Sequence, residues 1–396
     1  MKKILIVSHA LELGGAERSL IGLLDAIDKK EYKVDLFLLR HEGELLSFIP
    51  EGVNLLPEIP AYTVLACPMV QTLKEGHVIL TAARMYGKVK ADKYIKKCGY
   101  TDSGVPLEYS HKYTYRFMPE IQPDEEYDLA ISFLTPHYIV TNKVRAKKKI
   151  AWIHTDYSKV QINEKSELEM WSAYDQIISI SDDVTKTFQK IFPTLSTKII
   201  KIENIIPEKL IISQSKEFIP VEEMPDDSIK ILSIGRYCTA KNFDNVPNIC
   251  KHLVKQGMNV RWYLIGFGPD ENLIKEKIKE HMEKNVIMLG KKSNPYPYIC
   301  RCDLYVQPSR YEGKCVSVKE AQMLGKPVVI TNYATAGSQL KDGVDGKIVS
   351  LDNKECAKML AELLENVNEI QKYKKNCHES NFSNTVEVQK IYKMMV

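Results

Sequence analysis

Two glutamates, Glu312 and Glu320, stand with seven residues between them in the stretch DLYVQPSRYEGKCVSVKEAQMLGKPVVITN, which runs from Asp303 to Asn332. Carboxylates accept hydrogen bonds strongly, and sugar hydroxyls offer many donors. Either glutamate alone reads more readily as a solvated loop acid or as one side of a helical salt bridge. As a pair in this setting they read as groups for a polyhydroxylated ligand. Two bases complete the inventory. Arg236 follows Gly235, and Lys241 lies five residues on, in the loop YCTAKN. Arginine and lysine can neutralise a leaving diphosphate without a metal. The chain has no Asp-x-Asp, a common way of holding Mg²⁺ or Mn²⁺ against such a group.

These side chains need a scaffold, and the local pattern supplies one. Asp303 to Pro308 is an apolar run closed by proline and predicts a short buried strand. Ser309 to Lys314 is a loop with Glu312 and Gly313 at its tip. A helix follows from about Val316 to Leu324, stopped by Gly325 and Pro327. Pro327 to Thr331 is the next strand. In an open parallel sheet, ligands bind at the carboxyl ends of such strands. The N–H groups from Gly313 to Val316, at a helix start, can take an anion or sugar oxygens.

The same β-loop-α rhythm runs through most of the chain. Lys3 to Ser8 is a strand, then come the loop HALELGGAE and an amphipathic helix from Glu17 to Ile27 with Leu20, Leu23, Leu24 and Ile27 on one face. Gly14-Gly15 either lets an anion approach the helix start or only satisfies a tight turn. His154 and Asp156 follow the strand Lys149 to Ile153; the histidine is as readily structural as catalytic. A second α/β unit opens with Lys230 to Ile234. Its strand Val260 to Ile265 ends in Gly266-Phe-Gly268-Pro269, which lacks the third glycine of a dinucleotide fingerprint. Pro207 to Asp227, rich in Pro, Glu and Ser, reads as the linker between the two. The chain is therefore α/β throughout, with two doubly wound halves.

From Pro57 to Pro123 the rhythm is lost. Lys88, Lys90, Lys93, Lys96, Lys97 and Lys112 alternate with tyrosines, predicting a helical insertion. Its basic face is first a solvated one. The sharper alternative is a surface for an anionic acceptor or for lipid headgroups.

The 396 residues exceed one ordinary core. With 44% hydrophobic and 27% charged residues the composition is that of a soluble globular protein. A net charge of +4 does not argue for nucleic acid. No apolar run reaches the length of a membrane span. Nine scattered cysteines, without CxxC or zinc-like spacing, point to a reducing compartment.

Taken together, GGAERSL, the Arg236 and Lys241 pair, the Gly266-Phe-Gly268-Pro269 turn and EGKCVSVKEAQMLGKPVV resemble retaining glycosyltransferases of family four (glycosyl transferases group 1) over nearly the whole chain outside the insertion. The resemblance implies the GT-B fold: two Rossmann-like domains facing across a cleft. Residues 1–206 would bind the acceptor and 207–380 the nucleotide-sugar donor, with 381–396 a helix crossing back to the first domain. It implies metal-independent transfer of a sugar, with retention, from a nucleotide-diphosphate sugar (UDP-sugar first) to a saccharide or lipid-linked acceptor in cell-surface polysaccharide assembly. No cofactor is expected. A sugar-nucleotide epimerase on the same fold, or a non-catalytic nucleotide-sugar-binding protein, are the alternatives. Arg236 and Lys241 would hold the diphosphate, Glu312 the sugar hydroxyls and Glu320 the ribose. Gly313, Lys314, Cys315 and Val316 would line the sugar and phosphate, Gly266 and Gly268 the donor, Gly14 and Gly15 the diphosphate from the other domain. His154 would sit near the transferred sugar. Family members often carry a bulky apolar residue and Pro or Gly where this chain has Lys314-Cys315; Lys314 could read an anionic or amino-modified sugar, or point to solvent. The expected location is cytoplasmic; peripheral contact with an anionic membrane at the inner face of the cell membrane is left open.

Overall fold

The computed structural model describes every residue except Leu13, Asp102, Thr135, Lys159, Gly313, Lys314 and Val396, and the side chain of His281. The chain divides into two units. One holds Met1–Pro207 and Asn384–Val396, the other Glu208–Ser383.

In the first unit the strands are β1 (Lys2–Ser8), β2 (Tyr32–Leu38), β3 (Val53–Leu55), β4 (Tyr127–Ser132), β5 (Ala146–Ile153), β6 (Gln176–Ser179) and β7 (Ile199–Lys201). They form a parallel sheet in the order β3-β2-β1-β4-β5-β6-β7. Ile4 to Val7 and Leu36 to Leu38 are buried without alternation. Such runs arise because helices cover both faces of a parallel sheet. The helix Gly15–Ala26 buries Leu20, Leu23 and Leu24. The Ser181 hydroxyl caps the helix Asp182–Ile191 by accepting from the Val184 N–H.

Between β3 and β4 lie the helices Pro60–Thr63, Met69–Lys74, Val78–Cys98 and Val105–Thr114. The last two pack closely because Gly87 lies against the second helix: a Cβ there would come within 2.7 Å of the Tyr109 carbonyl oxygen. Arg84 is turned inward, donating to the carbonyls of Val64 and, at 2.7 Å, Cys67. Val78, Ile79, Met85, Tyr86 and Val89 stay exposed among the lysines. No helix among the described residues is long and apolar enough to cross a membrane.

The chain's last segment is fastened to this unit. The Asn384 side chain accepts from the Ile206 N–H (3.0 Å) and donates to the Asn204 carbonyl (2.8 Å). In the helix Val388–Met394, Tyr392 stacks on Tyr32 at 4.3 Å and its hydroxyl accepts the Asp28 N–H at 2.8 Å.

The second unit holds β8 (Ile229–Ile234), β9 (Val260–Ile265), β10 (Val286–Gly290), β11 (Leu304–Gln307), β12 (Val328–Thr331) and β13 (Gly346–Val349), parallel in the order β10-β9-β8-β11-β12-β13. The stretch 207–227, read as a linker, folds onto this unit. It forms the helix Glu208–Gln214, buries Ile211 and Met224, and accepts through Glu223 from Lys292 and Tyr298. Its few apolar residues outweigh a polar composition.

Each sheet winds outward in both directions from its first strand. Strand order reverses between β1 and β4 and between β8 and β11, and crevices open at the carboxyl ends of those strands.

Candidate functional site

In the second unit the switch point gathers the loops after β8, β9 and β11. The loop after β8 carries Gly235 and Arg236 and closes with a turn, Thr239–Lys241. Asn242 follows in the left-handed conformation (φ 61°), which asparagine tolerates, and donates to the Pro308 carbonyl at 2.8 Å. The Arg310 N–H donates to the Ala240 carbonyl at 2.8 Å, and its guanidinium forks onto Asp244 at 2.8 and 2.9 Å. These contacts clamp the β8 and β11 loops together. Asn242, Asp244 and Arg310 were not anticipated from the sequence, although an Asn after a functional lysine is a usable sign of a positive-φ turn.

The clamp joins Lys241 to Glu312. The ammonium donates to Glu312 Oε1, which also accepts from the Ser309 hydroxyl at 2.7 Å. The side chains are 18% and 11% exposed. Burial pulls the Lys241 pKa down, but neighbouring negative charge outweighs it and holds the group above its ordinary value. Burial pushes the Cys315 thiol up, so at neutral pH it is uncharged and Glu312 supplies that field. Lys241 therefore stays protonated with Cys315 Sγ 3.7 Å away. Arg236 is exposed and makes no hydrogen bond or ion pair among the described residues. An exposed cation on the same loop as a paired one is available to an anion.

Other expected residues sit differently. Glu320, in the helix Val316–Met323, is buried and accepts from the Tyr296 hydroxyl at 2.9 Å; its partner is a tyrosine and not a base. The Cys315 N–H, read as open to a ligand, is taken by Gln339 Oε1 at 3.0 Å. Gly313 and Lys314 lie outside the described residues. Val316 is the first residue of its helix. Gly266 and Gly268 have φ of 151° and 156°, and a Cβ on them would come within 1.9 Å of the Gly235 oxygen and 2.4 Å of the Tyr237 oxygen. Their absent side chains let the β9 loop lie on the β8 loop, with the Tyr237 N–H donating to the Phe267 carbonyl at 2.8 Å. Tyr333, just after β12, was not foreseen. Its buried hydroxyl has no partner among the described residues, and burial first, then Cys315 and Glu312, raises its pKa.

In the first unit Gly14 precedes the helix Gly15–Ala26, and the Glu17 carboxylate folds over it; a Cβ on Gly14 would meet Glu17 Oε2 at 1.9 Å. Glu17 thus lies over the helix start, while the Gly14 N–H donates to the Glu12 carbonyl at 3.1 Å. Gly15 has nothing within 4 Å of its Cβ position. His154, after β5, packs beside Phe133 with ring centroids 4.6 Å apart, and its Nε2 is buried without a partner among the described residues. Burial lowers its pKa to about 4, so the ring is neutral at pH 7.

More histidines converge here than expected. His9, after β1, stacks on His111 of the insertion at 5.4 Å. His137, after β4, has Nδ1 2.7 Å from the Ser132 hydroxyl. Burial lowers the pKa of all three. The usable sign for His9 was the one applied to His154, a position just beyond a strand. Among the described residues no three His, Cys, Asp or Glu are grouped so as to hold a metal ion.

Comparison with known proteins finds likenesses for the second unit and for the whole fold. Residues 214–380 match the family model described as glycosyl transferases group 1. An uncharacterized glycosyltransferase of Methanocaldococcus jannaschii is 24% identical over 57% of this chain and 58% of its own length. The capsular polysaccharide biosynthesis glycosyltransferase CapM of Staphylococcus aureus is 28% identical over 40% of this chain and 42% of its own. Among curated relatives of this kind the matched segment covers 20% to 58% of the relative. The crystal structure of Anabaena HepE with UDP and glucose superposes with a TM-score of 0.63 at 16% identity, covering 100% of this chain and 99% of that one. At that identity the likeness establishes fold alone, and the fold is GT-B.

Proposed function

We propose that the protein is a retaining glycosyltransferase that moves a sugar from a UDP-sugar to a saccharide or lipid-linked acceptor in cell-surface polysaccharide assembly, a reading that the match of residues 214–380 to the glycosyl transferases group 1 model supports. The observation that carries this reading is the Lys241–Glu312 ion pair at the switch point of the second sheet, with Arg236 of the same β8 loop exposed and unpaired among the described residues. A nucleoside diphosphate needs counter-charge, and a sugar needs acceptors for its hydroxyls. The described second unit offers both within adjoining loops.

In this reading the diphosphate lies against Arg236 and Lys241, and Glu312 orients the sugar. The anomeric carbon–oxygen bond breaks on the same face from which the acceptor hydroxyl attacks. The leaving phosphate oxygen takes the hydroxyl proton as the new glycosidic bond forms. The two bases stabilise the charge that collects on the leaving group, in place of a metal. Glu320 meets the ribose through the oxygen that Tyr296 does not use. As the family resemblance implies, Gly14 and Gly15 are assigned to the diphosphate and His154, a neutral ring, to the transferred sugar. The glycosyltransferase activity named for CapM supports a polysaccharide pathway, and the UDP and glucose in the HepE structure support the donor.

The first unit carries the acceptor. The insertion's exposed Val78, Ile79, Met85, Tyr86 and Val89, set among Lys88, Lys90 and Lys93, fit the surface of an anionic membrane that presents a lipid-linked acceptor. In this reading the enzyme works at the cytoplasmic face of the membrane.

A thermal-shift series with UDP, GDP and ADP and their sugars tests the donor. Ligand at ten times its Kd adds about 1.4 kcal/mol of stability. UDP-sugar should be bound and UDP released when acceptor is present. A new sugar nucleotide from donor alone would make the protein an epimerase. Binding without turnover, whatever acceptor is offered, would make it a binding protein.

A further inference from the structure

The insertion does more than present a surface. With the loop after β5 it encloses a cavity of about 190 Å³ inside the first unit, walled by Leu107, Val160, Ile162 and Met170 and floored by Glu108 and Glu167. That is room for roughly six waters, or for one six-membered ring with its substituents. Both carboxylates are deeply buried, 3% and 7% exposed. Their neighbours are donors. Tyr138 and Ser166 donate to Glu108 Oε1. Tyr157 donates to Glu167 Oε2 at 2.6 Å, and the Trp171 N–H reaches the Tyr157 hydroxyl at 3.0 Å.

One acceptor is left over. Glu108 Oε2 is buried and has no hydrogen-bond partner among the described residues. An unsatisfied buried carboxyl oxygen costs about 1–3 kcal/mol, so a hydroxyl donor placed there would be favoured. The walls define the donor's character. Two buried acidic side chains do not suit a phosphate, and the apolar wall suits the C–H face of a pyranose, whose rim carries hydroxyls.

We propose that this cavity is a subsite for one pyranose unit of the acceptor, with a ring hydroxyl donating to Glu108 Oε2 and the ring face lying on Leu107 and Met170. The proposal rests on the transferase reading and adds to it what the insertion is for: Gly104, Leu107 and Glu108 bring the wall and the acceptor atom that the two-sheet scaffold lacks.

Saturation-transfer NMR with the methyl glycosides of glucose, galactose, mannose and N-acetylglucosamine tests it. At least one should give signals with the wild-type protein. Glu108→Gln keeps the residue's shape but replaces half of its acceptor capacity. Leu107→Trp fills the cavity from a half-exposed rim position and should fold even if the buried variant does not. Each should raise the Kd of that glycoside at least tenfold. Signals unchanged in Leu107→Trp, or absent with all four glycosides, overturn the subsite. Lack of turnover of any UDP-sugar would instead overturn the transferase reading while leaving glycoside binding to be seen, so the two failures are distinguishable.

Discussion

Replacing Lys241 by methionine removes one charge and keeps most of the stem that runs past Gly235, whose Cβ position lies 3.1 Å from the lysine Cε. Two unit charges about 4 Å apart attract by about 4 kcal/mol at an effective dielectric of about 20. Desolvation of both groups, 18% and 11% exposed, takes back most of this. What remains in the variant is a nearly buried Glu312 with Ser309 alone on Oε1, a loss of about 1–3 kcal/mol in unfolding free energy. The catalytic loss is separate. If the ammonium meets charge only as the diphosphate departs, kcat falls about 10²–10³-fold with a much smaller change in donor KM. Urea unfolding and initial rates of UDP release read the two effects independently. Glu312→Gln and the double variant complete a cycle, whose coupling should be about 0.5–3 kcal/mol. The pair's pH sign is also fixed. Lys241 has a raised folded pKa, so its stabilisation is present below the ordinary lysine value and is lost only as pH rises through the folded value. It contributes no slope near neutrality. Wild-type turnover in Lys241→Met, or a coupling near zero, refutes the reasoning.

Arg236→Ala should lower turnover by at least about 10²-fold while leaving the urea midpoint unchanged, because the side chain is exposed and unpaired among the described residues; a loss of stability without a loss of rate would reassign it to structure. Gly266→Ala should cost about 2–4 kcal/mol, since φ is 151° and the new methyl lands 1.9 Å from the Gly235 oxygen, whereas Gly15→Ala, with nothing in reach, should not destabilise; equal urea midpoints for the two variants would contradict this. His9 and His154, each pushed by burial from 6.5 to about 4, make the first unit less stable as pH falls from about 6.5 to about 4, because the unfolded chain binds those protons first. Each contributes up to about 3 kcal/mol. Glu167, raised to about 7 by burial, works the other way between 4.5 and 7. His154→Gln should therefore flatten the acid limb of the stability–pH curve and Glu167→Gln steepen it; parallel curves for all three proteins would count against these assignments.

Much of the scaffold is written locally. The apolar runs at Ile4 to Val7 and Leu304 to Val306 announce strands covered on both faces. Ser181 announces a helix start, and Gly325 with Pro327 a helix stop. The combination of Glu312, Glu320, Arg236 and Lys241 marks the region of the site, because those residues follow strand ends or open helices, and the parallel sheet puts such positions at one edge. Which partner each side chain takes is not local information. Lys241 meets Glu312 across 71 positions because β8 and β11 are neighbours in the sheet. Tyr296 claims Glu320, and Gln339 claims the Cys315 N–H, across 24 positions each. The Gly266 and Gly268 pair reads as bare backbone for a ligand, yet its space is filled by the neighbouring loop. The insertion looks like a basic surface because its lysines are conspicuous, while Glu108 shows its part only when its helix lies against the β5 loop. A residue's type and its distance from a strand end set what it can do. Burial, and the groups brought beside it by strand order, set its charge and leave or remove its free lone pairs, and those depend on chain segments far apart in sequence.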